Sequence, residues 1–267
     1  MELGLIFALL ALGAAVGFVA GLLGIGGGLL LTPCFTFLLA SKGVSGDRVV
    51  HMAIATSLAT IVFTSIASVR AHHQRGAVAW RIVRLLTPGI LVGSWFGPWL
   101  GRQLNAEALA ICFVAFVLVA AAQMLLDVKP AAARELPGSQ GMFAAGGVIG
   151  VVSGLVGVGG AFASVPFMTW CNVTIHTAVA TSAALAFPIA VAGTLSNVYY
   201  GFGTPGLPPG SLGFVYLPGV LFVSAASVVT APVGARTVHR LNVRTLRRAF
   251  AVFLLVLAGR MLYKAFH

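Results

Sequence analysis

The sequence predicts an all-α integral membrane protein of about eight transmembrane segments, arranged as two tandem, inverted repeats that each open with a glycine-broken helix. Three observations predict it. The 267 residues are 59% hydrophobic and only 8% charged, with a mean hydropathy of +1.03, whereas soluble domains carry roughly 25% charged residues. No Asp, Glu, Lys or Arg occurs from residue 136 to residue 235, a stretch that only a bilayer or a large buried interior could solvate. The third is a duplication at constant spacing, set out below. The net charge of +11 does not indicate a nucleic-acid partner, because the basic residues sit in short groups between apolar stretches, where they orient a chain in a bilayer.

The elements follow from apolar runs of the roughly 20 residues that cross about 30 Å of hydrocarbon. Leu3 to Ser41 is too long for one upright helix and contains Gly24, Gly26, Gly27, Gly28 and Pro33, so a break is expected there. It is read as a retained helix rather than a signal peptide, since Glu2 replaces a basic leader and no cleavage site follows. Further spans are expected at Val49 to Val69, Leu85 to Gly101, Ala108 to Leu126, Gly141 to Trp170, Ala178 to Tyr200, Leu212 to Ala235 and Leu246 to Leu262. The polar segment Asp127 to Gln140, with Pro130 and Pro137, divides the chain into a first repeat at 1–126, a connector at 127–140 and a second repeat at 141–267.

The duplication is read residue by residue. Gly13, Gly17, Gly21, Gly24, Gly26, Gly27 and Pro33 recur at one constant offset as Gly146, Gly150, Gly154, Gly157, Gly159, Gly160 and Pro166. After a shorter loop, His51, Ala55, Thr56 and Ser57 recur at a second offset as His176, Ala180, Thr181 and Ser182. Such duplications recur among secondary transporters. Two basic loops, one with Arg70, Arg75, Arg81 and Arg84 and one with Arg236, Arg240, Arg244, Arg247 and Arg248, should both be cytoplasmic. A simple count of eight crossings puts them on opposite sides. If each broken stretch re-enters or folds as a hairpin, both loops face the cytoplasm, the repeats are inverted and both termini lie outside.

Glycines four apart let helices approach to backbone contact, which makes Gly13, Gly17, Gly21, Gly146, Gly150 and Gly154 packing positions. The runs at Gly24, Gly26, Gly27, Gly28 and at Gly157, Gly159, Gly160 are too glycine-dense for a helix interior. Unwound backbone at membrane depth lines a cavity or is buried in protein, and its N–H groups at a helix start attract anions. These glycines are candidate substrate-binding residues; a tight turn serving packing alone is the alternative. Thr56, Ser57, Thr181, Ser182 and Asn197 offer uncharged donors for an oxyanion, or else bond their own helices together. His51 and His176 either relay protons or sit at the interface in contact with water. The five acidic residues fall at or beyond the span ends, which suits the interior to anions rather than metal cations. No metal site or bound cofactor is implied, and Cys34, Cys112 and Cys171 read as packing residues.

The run Gly21-Leu22-Leu23-Gly24-Ile25-Gly26-Gly27-Gly28 ending at Pro33, with its repeat Gly154-Leu155-Val156-Gly157-Val158-Gly159-Gly160 ending at Pro166, resembles the paired signature of the sulfite exporter TauE/SafE family. The His-x-x-x-Ala-Thr-Ser pattern, Arg70 to Val78 and Thr230-Ala231-Pro232-Val233-Gly234-Ala235-Arg236 are similar to it as well. The resemblance implies a plasma-membrane transporter of small anions of sulfur metabolism, such as sulfite, sulfonates or sulfoacetate. Export by alternating access, with a proton or sodium as the coupling ion, is the mechanism to be expected. Ala161 departs from the pattern, standing where the first repeat has Gly28. Two other classes fit the sequence less well: an intramembrane hydrolase using Ser153 with His176, weakened by the absence of a group to orient the histidine, and a membrane accessory or scaffold subunit, weakened by the lack of large soluble loops.

Overall fold

The computed structural model describes residues 3–23, 28–41, 43–44, 48–126, 135–237 and 243–266. They form ten helices and one small hairpin. The first half contributes α1 (Leu3–Leu23), α2 (Gly28–Ser41), α3 (Arg48–Gln74), α4 (Trp80–Arg102) and α5 (Ala106–Leu126). The second contributes α6 (Ser139–Val156), α7 (Ala161–Trp170), α8 (Ile175–Gly201), the hairpin strands β1 (Ser211–Leu212) and β2 (Val215–Tyr216), α9 (Leu217–Thr237) and α10 (Val243–Phe266). Helices α1, α3, α5, α6 and α8 are long and apolar enough to cross a bilayer. Their outward faces carry exposed Leu3, Phe7, Phe63, Leu118, Val148 and Leu195, side chains that lipid solvates and water does not. The protein is a multi-pass, all-α membrane protein.

Two expectations are corrected. The prolines do not break the chain: Pro33 and Pro166 lie inside α2 and α7, and in the second half the interruption is the four residues 157–160. The span expected from Leu212 begins at Leu217, because Gly210 and Gly213 adopt left-handed φ of 87° and 55° and turn the chain into the hairpin first.

Each half's first helix packs on the other half's fourth. Between α4 and α6 the contact is backbone to backbone: a Cβ on Gly93 would strike the carbonyl of Gly147, and one on Gly97 would lie 2.8 Å from both Leu155 N and Val151 O. Gly150 and Gly154 fit against Ile90 and Ser94 in the same way, and the Ser94 hydroxyl donates to Gly150 O at 3.3 Å. Between α1 and α9, a Cβ on Gly13 would lie 2.6 Å from Val223 O, Gly17 abuts Ser227, and the Ser227 hydroxyl donates to Gly13 O at 2.8 Å. In both pairs contacts advance together along the two chains, so the helices run parallel. Dispersion and interhelical hydrogen bonds, the forces left when lipid removes the hydrophobic one, hold such seams.

The centre is made by α3 and α8, which run antiparallel. Leu58 packs on Gly193, while at the far end of α3 the residue preceding α4, Ala79, donates its N–H to Thr181 at 3.0 Å. Helix α2 returns antiparallel to α3, with Gly28 against Ile61 at its start and Phe35 beside Gly219, which also abuts Thr56.

Candidate anion site at the broken helix

In the second half the break is built by left-handed glycines. Gly157 (φ 79°) ends α6, where its own N–H and that of Val158 both bond to Ser153 O, at 2.9 and 3.1 Å. Gly160 (φ 76°) opens α7. A side chain at either would be strained, and a Cβ on Gly157 would also press on Thr32 Oγ1 and Ile54 Cα at 2.9 and 3.0 Å.

The first half grips this break by its carbonyls. The Ser57 hydroxyl donates to Gly157 O at 2.9 Å, and Thr32 Oγ1 lies 3.4 Å from both Gly157 O and Val156 O. Ser57 also approaches Gly28 O at 3.4 Å, and Gly28 packs on Val158, where an added Cβ would come within 3.2 Å of Cα. The start of α2 and the second-half break therefore touch. Gly24, Gly26 and Gly27 lie outside the described residues.

With Val156 O and Gly157 O engaged by the first half, the break presents N–H groups. The first bonds of α7 run from Ala163 and Ser164 to Gly160 O, at 3.1 and 2.8 Å. The N–H groups of Gly159, Gly160, Ala161 and Phe162 have no acceptor among the described residues, and Gly159 and Gly160 are buried. Open N–H groups at a helix start, where the macrodipole is positive, suit an anion.

The remaining predicted residues divide between this site and the scaffold. Thr56 donates to Met52 O at 2.6 Å and accepts the N–H of Tyr216 at 3.1 Å; Thr181 accepts that of Ala79. Each threonine thus holds the residue that precedes the other half's fourth helix. Ser182 pairs with the Ser164 hydroxyl at 3.0 Å, and Asn197 bonds back to Gly193 O at 2.8 Å. All five side chains are buried. His51 is half-buried, with Nε2 3.0 Å from Gly101 O and its ring 5.6 Å from that of Phe214, whereas His176 is exposed. Sequence reading passed over Thr32 and Ser164. Both sit within one turn of the start of a helix that follows a glycine run, and that position was the available signal.

Ser153 and His176 are far apart. Ser153 lies beside the C-terminal half of α4, next to Gly154, which packs on Ser94 and Pro98. His176 lies a turn and a half before Thr181, whose partner Ala79 precedes α4. The intervening length of α4 is about 25 Å at 1.5 Å per residue, so the two do not form a hydrolytic pair.

Apolar spanning helices from two interleaved halves make this a multi-pass membrane protein, and its family and relatives place it among the membrane transporters. The chain belongs to the sulfite exporter TauE/SafE family, whose profile matches residues 9–261. It is 37% identical over 257 residues, covering 96% of this chain and 97% of the relative, to a protein of Haemophilus influenzae named "Probable membrane transporter protein". The "Probable membrane transporter protein MJ0441" of Methanocaldococcus jannaschii is 27% identical over 90% of this chain and 88% of its own length. The "Probable membrane transporter protein YunE" of Bacillus subtilis is 26% identical over 72% of this chain and 78% of its own.

Proposed function

We propose that the protein is a secondary transporter of small anions of sulfur metabolism, of the sulfite, sulfonate or sulfoacetate type, which exports them across the plasma membrane by alternating access. The observation that carries this reading is the second-half break: four open N–H groups, two of them on buried glycines, presented by a loop whose Gly157 carbonyl is held by hydroxyls of the other half. Such a cradle binds negative charge without a fixed cation, which favours release as well as capture. The family's name agrees with this substrate class.

Residues 1–126 and 141–267 are the two repeats, joined by 127–140. Inversion is supported by the antiparallel run of the equivalent helices α3 and α8, and by the exchange of parallel contacts, α1 with α9 and α6 with α4. In this reading the first broken stretch is a hairpin, which agrees with α2 running antiparallel to α3. With exposed Arg70, Arg75, Arg81 and Arg84 at the α3–α4 turn and no charge in the α8–α9 connection, the first of these faces the cytoplasm and both termini face outward. Rocking of one half on the other would move Ser57 and Thr32 relative to Gly157 and change access to the break. A proton or a sodium ion drives the cycle; His51 or His176 would carry the former.

The test is uptake of labelled sulfite and sulfoacetate into proteoliposomes, with and without proton and sodium gradients, beside empty vesicles. Gradient-dependent flux of either anion is expected and names the driving ion. Absence of flux for every sulfur oxyanion contradicts the assignment.

A further inference from the structure

We infer that Ser153 is a substrate-contacting residue, its hydroxyl donating to an oxyanion held on the open N–H groups at the start of α7. The inference rests on the transporter reading above and adds to it a side-chain ligand that no glycine signature contains.

Ser153 is 1% exposed, and its Oγ has no hydrogen-bond partner among the described residues. Many helical threonines in this protein turn back on the preceding turn, although Thr194 and Ser224, like Ser153, are buried without a partner among the described residues. Thr36 bonds to Thr32 O at 2.9 Å, Thr60 to Thr56 O at 2.8 Å, Thr87 to Val83 O at 2.7 Å and Thr230 to Ala226 O at 3.0 Å. The same refuge, Ile149 O, is in principle open to Ser153 and is not used, although a buried hydroxyl without a partner is unfavourable.

Its position explains what it is free to bind. The carbonyl of Ser153 takes the N–H groups of Gly157 and Val158, so the chain wraps around this residue and brings Gly160 back beside it. A Cβ on Gly160 would lie 3.2 Å from Ser153 Oγ. The hydroxyl therefore stands at the N-cap of α7, next to the open N–H groups. A hydroxyl there can turn its hydrogen toward an anion, and the ligand class is a small oxyanion with several acceptor oxygens, because donors converge on it from both backbone and side chain. The first half has Ala20 at the equivalent place, so this hydroxyl has no counterpart there.

Ser153→Ala and Ser153→Thr test this, with sulfite as the probe, by flux in proteoliposomes and by thermal unfolding of purified protein with and without sulfite. Without sulfite, Ser153→Ala should melt at or above the wild-type temperature, since it removes a hydroxyl that bonds to nothing. With sulfite, its half-saturation concentration should rise about tenfold or more, as for loss of a hydrogen bond to a charged group, with maximal flux within about threefold. Ser153→Thr should restore half-saturation to near the wild-type value. Unchanged half-saturation in Ser153→Ala, or a lowered melting temperature with an intact sulfite-induced shift, overturns the inference and leaves the transporter reading standing. Wild-type protein that neither transports nor is stabilised by sulfite overturns both.

Discussion

Thr56 and Thr181 hold equivalent places and do the same thing, whereas Ser57 and Ser182, one residue on, do not. Each threonine accepts the N–H of the residue preceding the other half's fourth helix, Tyr216 in one case and Ala79 in the other. Ser57 instead crosses to the second-half break and bonds Gly157 O, while Ser182 pairs with Ser164 of its own half. The two threonines, alike in sequence and in contacts, serve the scaffold. The duplicated positions that have diverged, Ser57 from Ser182, Ser153 from Ala20 and Ala161 from Gly28, gather around the second-half break and α7.

Breaking the shared scaffold should have the largest effect. Gly93→Leu drives a side chain into the Gly147 backbone, where nothing flexible can yield, so destabilisation above about 3 kcal/mol is expected and inserted, folded protein should nearly vanish from detergent extracts. Gly4→Leu, at an exposed position with nothing within 4 Å of an added Cβ, should be recovered like wild type. Thr56→Val and Thr181→Val should each cost about 1–2 kcal/mol, by comparable amounts, since each removes the threonine acceptor of one N–H, that of Tyr216 buried and that of Ala79 part-buried. Thermal unfolding of the two variants checks this, and a clear inequality breaks the symmetry argument. The serines should then separate: Ser57→Ala should lower sulfite flux about tenfold, while Ser182→Ala stays within about twofold of wild type at matched protein levels.

Much of this was legible in sequence because it rests on local chemistry. The glycines of α1 and α6 announce close helix contact by their spacing, and Gly157 and Gly160 turn left-handed because glycine alone does so without strain. The exchange of partners was not legible. Nothing local to Gly150 says that it meets Ile90 rather than a helix of its own half, and nothing local to Thr56 distinguishes an acceptor for Tyr216 from a ligand for an anion. Pro33 reads as a breaker in sequence, but α2 carries the proline within its helix. The pairing of Ser153 with His176, weak in sequence for want of a group to orient the histidine, fails on the length of α4 between them.

The central claim is that the second-half break is where the anion binds, and Gly159→Leu addresses it most directly. Gly159 is not left-handed, so leucine is sterically permitted by the backbone there, yet its Cβ would already lie 3.3 Å from the Ala186 Cβ and 3.6 Å from Ile61. The rest of the side chain would crowd the open N–H groups. Sulfite flux should be measured for wild type and Gly159→Leu in proteoliposomes carrying equal amounts of inserted protein. The account predicts that the variant inserts and its flux falls to the level of empty vesicles; flux at the wild-type rate would contradict it and remove the break from the mechanism.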